Sequence, residues 1–154
     1  MSGYNHTQRG IIGPLQLVMS AVFLVGAWFN RAGPALPGML LGAAMGVFLT
    51  FGFWTLTARD EGERLAVRFG PVPVFRTSIP YSTVVAVERV GAGPILCWGI
   101  HWTRRGWMWN VGGSRCVRIV TRKGAMMIGT DDPDGLSRFL EFKIQPRPGT
   151  GAER

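Results

Sequence analysis

Four tryptophans, Trp98, Trp102, Trp107 and Trp109, fall within twelve residues, and His101, Arg104 and Arg105 lie among them. Indole and guanidinium groups each join a broad apolar face to a polar edge. They gather where a surface is dry on one side and wet on the other, in protein interfaces and at membrane–water boundaries. Period-two alternation puts Trp107 and Trp109 on one face of a strand, partly in a core. It leaves Trp102, Arg104 and Arg105 at a hairpin tip, available to a partner. A second basic set, Arg64, Arg68, Arg76 and Arg118, shares the outward parity of its strands. Arginine forks suit lipid phosphates, and the plainer alternative is a solvated face drawn to an anionic leaflet without a pocket.

Catalytic chemistry has thinner material. His6 lies near the N-terminus, and His101 sits between tryptophans, where packing or an interface contact is expected rather than a base. Asp131, Asp132 and Asp134 suggest a cation site at first sight. Asp132-Pro133, however, has the form of a helix start, where a carboxylate caps unpaired N–H groups. Cys97 and Cys116 are too few for a disulfide framework and have no metal-ligand spacing. There is no Ser/His/Asp set and no Cys/His pair, and Gly112-Gly113 lies between strands, the wrong setting for a phosphate cradle. The expectation is a non-enzyme with no catalytic residue, no metal and no cofactor.

The elements that must position these groups begin with two apolar stretches. Between Arg9 and Arg59 the only charge is Arg31. Residues 11–29 and 39–56 each approach the roughly 20 residues a helix needs to cross a hydrocarbon core of about 30 Å. The linking NRAGPALPG reads as a tight surface turn. A transmembrane helical hairpin over residues 11–57 is predicted, with residues 1–10 as a tail. The alternative, a cleaved signal peptide, fits poorly, because such apolar regions run about 7–15 residues. Gly38, Gly42 and Gly46 repeat every four residues on the second helix, a spacing that lets helices approach closely. They serve either packing on the first helix, where Ser20 and Ala27 are small partners, or self-association and docking on another membrane protein. Pro14 suits a first helical turn. Neither stretch holds an ionisable group, which argues against a transporter. Arg9, Arg59, Arg64 and Arg68 flank one side and Arg31 alone the other, so both termini and the following domain are expected on the cytoplasmic side of an inner membrane.

The 154 residues carry a net charge of +8, and residues 63–129 hold ten Lys/Arg against two acids. Beside anionic headgroups each such cation adds about 1 kcal/mol of attraction. With an anchor present, the charge points to anionic phospholipid, and no nucleic-acid partner is expected. From Arg64 onward apolar residues alternate in short runs, near 64–69, 74–79, 84–90, 100–102, 106–111, 116–119 and 125–129, separated by Gly/Pro turns. About seven antiparallel strands are predicted, in a barrel or sandwich. An amphipathic helix over residues 133–142 closes the domain (62–143), and a Pro/Gly-rich tail (144–154) is expected to be disordered.

This order resembles the bacterial membrane-anchored pleckstrin-homology-like (PH-like) families. The resemblance is carried by LAVRFGPVPVFRTSIPYSTV and WGIHWTRRGWMWNVGGSRCVRIVTRKGAMMIGTDDPDGLSRFL, with a Gly-Pro turn, an Ile-Pro-Tyr turn and IGTDDP before the last helix. It implies fold and tethering more than function. In the phosphoinositide pattern of PH domains, Arg68 and Arg76 are the nearest equivalents, but Ser78 stands where the last cation belongs, so a specific phosphoinositide site is not implied. The resulting expectation is a membrane-anchored interaction module, an accessory, scaffold or assembly subunit bound to other integral membrane subunits. The alternative is a module sensing anionic lipid.

Overall fold

The computed structural model describes residues 3–10, 12–91 and 98–145. Two helices, α1 (Ile12–Phe29) and α2 (Leu36–Phe53), form the hairpin. Each has 18 residues, about 27 Å at 1.5 Å per residue, and each is long and apolar enough to cross a membrane. Core helices of water-soluble domains are mostly buried. Here only 17% and 22% of the two helices are, and Leu15, Val22, Leu41 and Phe48 point outward. The seam between them is built from small residues: Gly13, Ser20 and Ala27 against Ala43, Gly46 and Thr50. A Cβ at Gly42 would meet the Phe23 ring at 3.2 Å, and one at Gly46 would collide with Ser20 Oγ. Gly38 has nothing within 4 Å. The hydroxyls in the seam turn back on their own helices, Ser20 Oγ to Gln16 O (2.8 Å) and Thr50 Oγ1 to Gly46 O (2.8 Å).

The second helix lies earlier than the predicted 39–56. It ends at Phe53 because Thr55 and Leu56 join a strand, paired with Gly70 and Phe69. That strand is β2 (Thr55–Asp60), and its neighbour β1 (Asn5–Arg9) occupies the segment expected to be a tail. β1 and β2 are adjacent and antiparallel, so the entire helical hairpin is the loop between two paired strands. β3 (Arg64–Gly70) and β4 (Arg76–Pro80) complete a first sheet of order β1-β2-β3-β4.

A single 3-10 turn, Tyr81–Thr83, leads to a second sheet. Its strands are β5 (Val84–Gly91), β6 (Gly99–Thr103), β7 (Gly106–Asn110), β8 (Arg115–Thr121) and β9 (Gly124–Gly129), in the order β5-β8-β9-β7-β6. β7 runs parallel to β9. The described residues thus form nine strands in two sheets that are not closed into a barrel, against the roughly seven antiparallel strands expected. The two extra strands come from the flanks of the apolar hairpin. Inward residues alternate along β2, β3 and β4 (Leu56, Ala58; Leu65, Val67, Phe69; Ile79). They meet Trp109, Val117, Ile119 and Ile128 of the second sheet in one core. Phe53, the last residue of α2, lies against Phe69 and Phe75, with ring centroids 4.8 and 5.0 Å apart.

The closing helix α3 (Pro133–Ile144) buries Leu136 and Leu140 completely. Asp132 caps it, its Oδ1 accepting from Gly135 N at 2.9 Å, with Pro133 in the first helical position. α3 runs two residues beyond its predicted end, and the rest of the expected disordered tail, 146–154, is outside the described residues, as is Cys97.

The far end of α3 is clamped to β2. Asp60 Oδ2 pairs with Lys143 Nζ at 2.9 Å, while Asp60 Oδ1 accepts from Tyr81 OH (2.8 Å) and Gly62 N (2.9 Å). Burial alone would raise the Asp60 pKa. The bonds from Lys143, Tyr81 and Gly62 outweigh it and hold the carboxyl below its ordinary value. Burial and the same carboxylate push the Tyr81 phenol up. A depressed carboxyl pKa means the folded state binds fewer protons. The contribution of Asp60 is therefore fully present above about pH 4 and is lost as pH falls through the lowered value. Asp60→Asn is expected to cost about 2–3 kcal/mol at pH 7, read from the urea midpoint of the full chain in detergent. It should also flatten the loss of stability between about pH 4 and pH 2. An unchanged acid limb would contradict the clamp.

Candidate functional site

Two hairpin tips end side by side on the second sheet. The first is Thr103-Arg104-Arg105-Gly106 and the second Thr121-Arg122-Lys123-Gly124. They adjoin because β7 is parallel to β9, with Trp107 opposite Met126. The same local chemistry shapes both. Thr103 Oγ1 donates to Gly106 O (2.8 Å) and accepts from Arg105 N (3.2 Å). Thr121 Oγ1 donates to Gly124 O (2.9 Å) and accepts from Lys123 N (3.4 Å). Each threonine satisfies its own turn, and each turn closes on a glycine with positive φ, +121° at Gly106 and +147° at Gly124. Four exposed cations, Arg104, Arg105, Arg122 and Lys123, therefore share one end of the molecule.

Beneath the tips lies a pocket of about 360 Å³ lined by Ile79, Pro80, Trp102, Trp107, Lys123 and Met126, among others. Trp102 and Trp107 face each other across β6 and β7, edge to face, with ring centroids 5.5 Å apart. Both share the face that carries Trp109 and Ile128 into the core. They nevertheless remain 65% and 47% exposed, because β4 is the edge of the first sheet and nothing in that sheet covers them. The pocket is the uncovered margin of the sandwich interior. The third sequence-named tryptophan, Trp109, is buried and stacks on Phe69 at 5.3 Å. Trp98 lies at the other end of β6, 5.2 Å from Phe53.

The arginine stripe divides. Arg64, Arg68 and Arg76 stand together on the outer face of the first sheet, and β1 and β2 add Arg9 and Arg59 to that face. Arg68 and Arg76 are directly opposite one another, an arrangement that repels unless an anion lies between. A shallow groove of about 450 Å³ runs past Arg64, Arg68, Arg76 and Ser78. Arg64 already holds Glu61 at 2.9 Å. Arg118 belongs to the second sheet. It pairs with Glu88 (2.9 Å), and its Nε donates to Arg105 O (3.1 Å), bracing the first tip.

The groups raised as catalytic candidates do structural work. His6 of β1 meets the Asp131 carboxylate, Asp132 caps α3, and Asp134 pairs with Arg89 at 2.9 Å. His101 lies on the outer face of the second sheet, opposite Met108. Among the described residues no three His, Cys, Asp or Glu side chains group so as to hold a metal ion. Cys116 is buried, its thiol donating to Val90 O at 3.3 Å. No protein-family model matches this chain, and no curated protein does either.

Sequence reasoning named Arg104 and Arg105 but passed over Arg122, Lys123 and Trp107 as partners of the same site. The signal was present as the repeated Thr-Arg-Arg/Lys-Gly. The parallel pairing that unites the two copies has no local signature. A Cβ on Gly106 would collide with Ala125 O, whereas one on Gly124 meets nothing within 4 Å. Gly106→Ala should therefore cost about 2 kcal/mol or more and Gly124→Ala about 1 kcal/mol. Only the former should disturb the near-ultraviolet circular dichroism of the Trp102–Trp107 pair.

Proposed function

We propose that this chain is a membrane-anchored, non-catalytic interaction module of PH-like type, an accessory or scaffold subunit of a larger complex in the inner membrane. One observation carries the reading. An exposed tryptophan pair lines a pocket open to solvent that Lys123 also lines, and Arg104, Arg105 and Arg122 stand on the two adjoining hairpin tips; none of these four cations has an acid bonded to it among the described ion pairs. Tryptophan and arginine are the side chains that dominate protein interfaces. Leaving two indoles half exposed is costly without a partner.

The anchor is the apolar hairpin, whose outward aliphatic side chains suit hydrocarbon. Arg9, Arg59, Arg68 and Arg76 lie on the domain side and Arg31 alone at the connector, stacked over Trp28 at 4.7 Å. This asymmetry supports cytoplasmic termini and a cytoplasmic domain. The PH-like resemblance is part of the same proposal, supported by a β-domain that a C-terminal helix closes. The non-catalytic reading is supported by the structural partners of His6, Asp132 and Asp134.

Gentle solubilisation of the native membrane followed by sizing tests the proposal. The wild-type chain should migrate in an assembly larger than its monomer. Trp102→Ala with Trp107→Ala, or Arg104→Glu with Arg105→Glu, should release it without loss of secondary structure. Migration of the wild type only as a free monomer rejects the reading.

A second reading, binding of anionic phospholipid, is favoured by the opposed Arg68 and Arg76. Phosphatidylglycerol added to the full chain in detergent should raise its unfolding temperature, and phosphatidylcholine should not. A ligand at 100 times its Kd stabilises by about 2.7 kcal/mol. Arg68→Gln with Arg76→Gln should abolish the difference, as should high salt. Equal stabilisation by both lipids would dismiss a site at these arginines.

A further inference from the structure

The connection between β3 and β4, residues 71–75, reads Pro-Val-Pro-Val-Phe and contains no charge and no side-chain donor. Pro71 and Pro73 have no N–H to satisfy. Val72 N donates to Phe51 O at 3.5 Å, and Val74 N donates to Val72 O at 2.8 Å. Phe75 turns inward against Phe53. Every backbone donor from 71 to 74 is thus either absent or bonded within the protein. What the loop presents outward is apolar, Val72 at 51% and Val74 at 49% exposure.

Its level is set by its bonds. Phe51 lies two residues before the end of α2, about 3 Å along the helix axis, so the loop reaches down beside the last turn of the apolar hairpin. Exposed Phe51 (42%) continues the same apolar surface. The next residues along the sheet are Arg76 and its opposite number Arg68.

We propose that residues 71–74 form a third membrane contact, a wedge that carries Val72 and Val74 into the headgroup–acyl boundary of the leaflet at which α2 ends. The inference rests on the reading that the hairpin crosses a bilayer. Entering that boundary strips water from a loop's unpaired N–H and C=O groups. This loop has no unpaired N–H, and at headgroup depth its carbonyls keep access to water. The cations immediately above it then stand at phosphate depth, the order of groups found in segments that lie at an interface.

Site-directed fluorescence on the full chain tests the wedge. In a background with Cys97 and Cys116 changed to Ala, single cysteines replace Val72, Val74, Val22 in the middle of α1, and Ser82 on the 3-10 turn. Each is labelled with a nitrobenzoxadiazole dye and reconstituted into vesicles of phosphatidylcholine and phosphatidylglycerol carrying a spin label near the headgroup or deep in the acyl chain. The proposal expects blue-shifted emission at 72 and 74 with quenching by the shallow label, quenching at 22 by the deep label, and neither effect at 82. Probes at 72 and 74 that behave like 82 while 22 is quenched would overturn the wedge and leave the anchor standing. An unquenched probe at 22 would remove the anchor, and the wedge with it.

Discussion

The hydrogen bond from Gly10 N to Trp54 O, 2.6 Å long, is where the two halves of this protein become one. β1 ends at Arg9 and α1 begins at Ile12; α2 ends at Phe53 and β2 begins at Thr55. The sheet ladder therefore continues up to the roots of the helices. A Cβ at position 10 would sit 2.8 Å from Val111 O and 3.2 Å from the carbonyls of both Phe53 and Trp54. The carbonyl of Val111, just past β7, and those of the α2–β2 junction converge on this position, and only glycine fits between them. Backbone groups at the edge of an apolar region must be satisfied within the chain, and the paired β1 and β2 achieve this without a linker.

This junction makes the hairpin and the β-domain a single packed body. Phe53 stands in the sandwich core beside Phe69, Phe75 and Trp98. Trp54 packs over Gly13 of α1 and lies 6.2 Å from Phe51. β1 fastens the other sheet by polar contacts, with Gln8 Nε2 donating to Gly112 O at 2.7 Å and His6 meeting Asp131. Among the described residues only Trp54 separates α2 from β2, so a displacement of α2 has a short path into the sheet. It passes into β1 and β2 and from there into α3 through the Asp60–Lys143 pair.

Seven of the nine strands and the last helix were legible because their inward residues are aliphatic or aromatic and alternate between turn residues. β1 was not, because its inward side chains are His6 and Gln8 and its energy comes from long-range hydrogen bonds rather than apolar burial. β2 was hidden for the opposite reason. Thr55-Leu56 extends the apolar run of α2, and hydropathy does not mark the point where helical pairing yields to a ladder. Side-chain parity placed Arg64, Arg68 and Arg76 on one face, which β3 and β4 confirm by direct pairing. Parity does not say which sheet a strand joins, so Arg118 was grouped with residues on the far side of the sandwich.

The same junction separates the two proposed binding surfaces. Trp98 abuts Phe53 at the root, and β6 runs from there to Thr103, about 13 Å at 3.3 Å per residue. The pocket at Trp102 and Trp107, with the two cationic hairpin tips beside it, is thus held at the end of the second sheet opposite the helices. Arg9, Arg68 and Arg76 occupy the root. In a domain swinging on a linker, either basic surface would visit the bilayer, and lipid and protein would compete for the same arginines. With α2 leading into β2 through Trp54 alone, the proposed lipid contacts fall to the arginines at the root. The tips are carried away from it with their indoles uncovered. The proposed division of labour rests on where the helical hairpin is inserted: between two paired strands instead of ahead of the first.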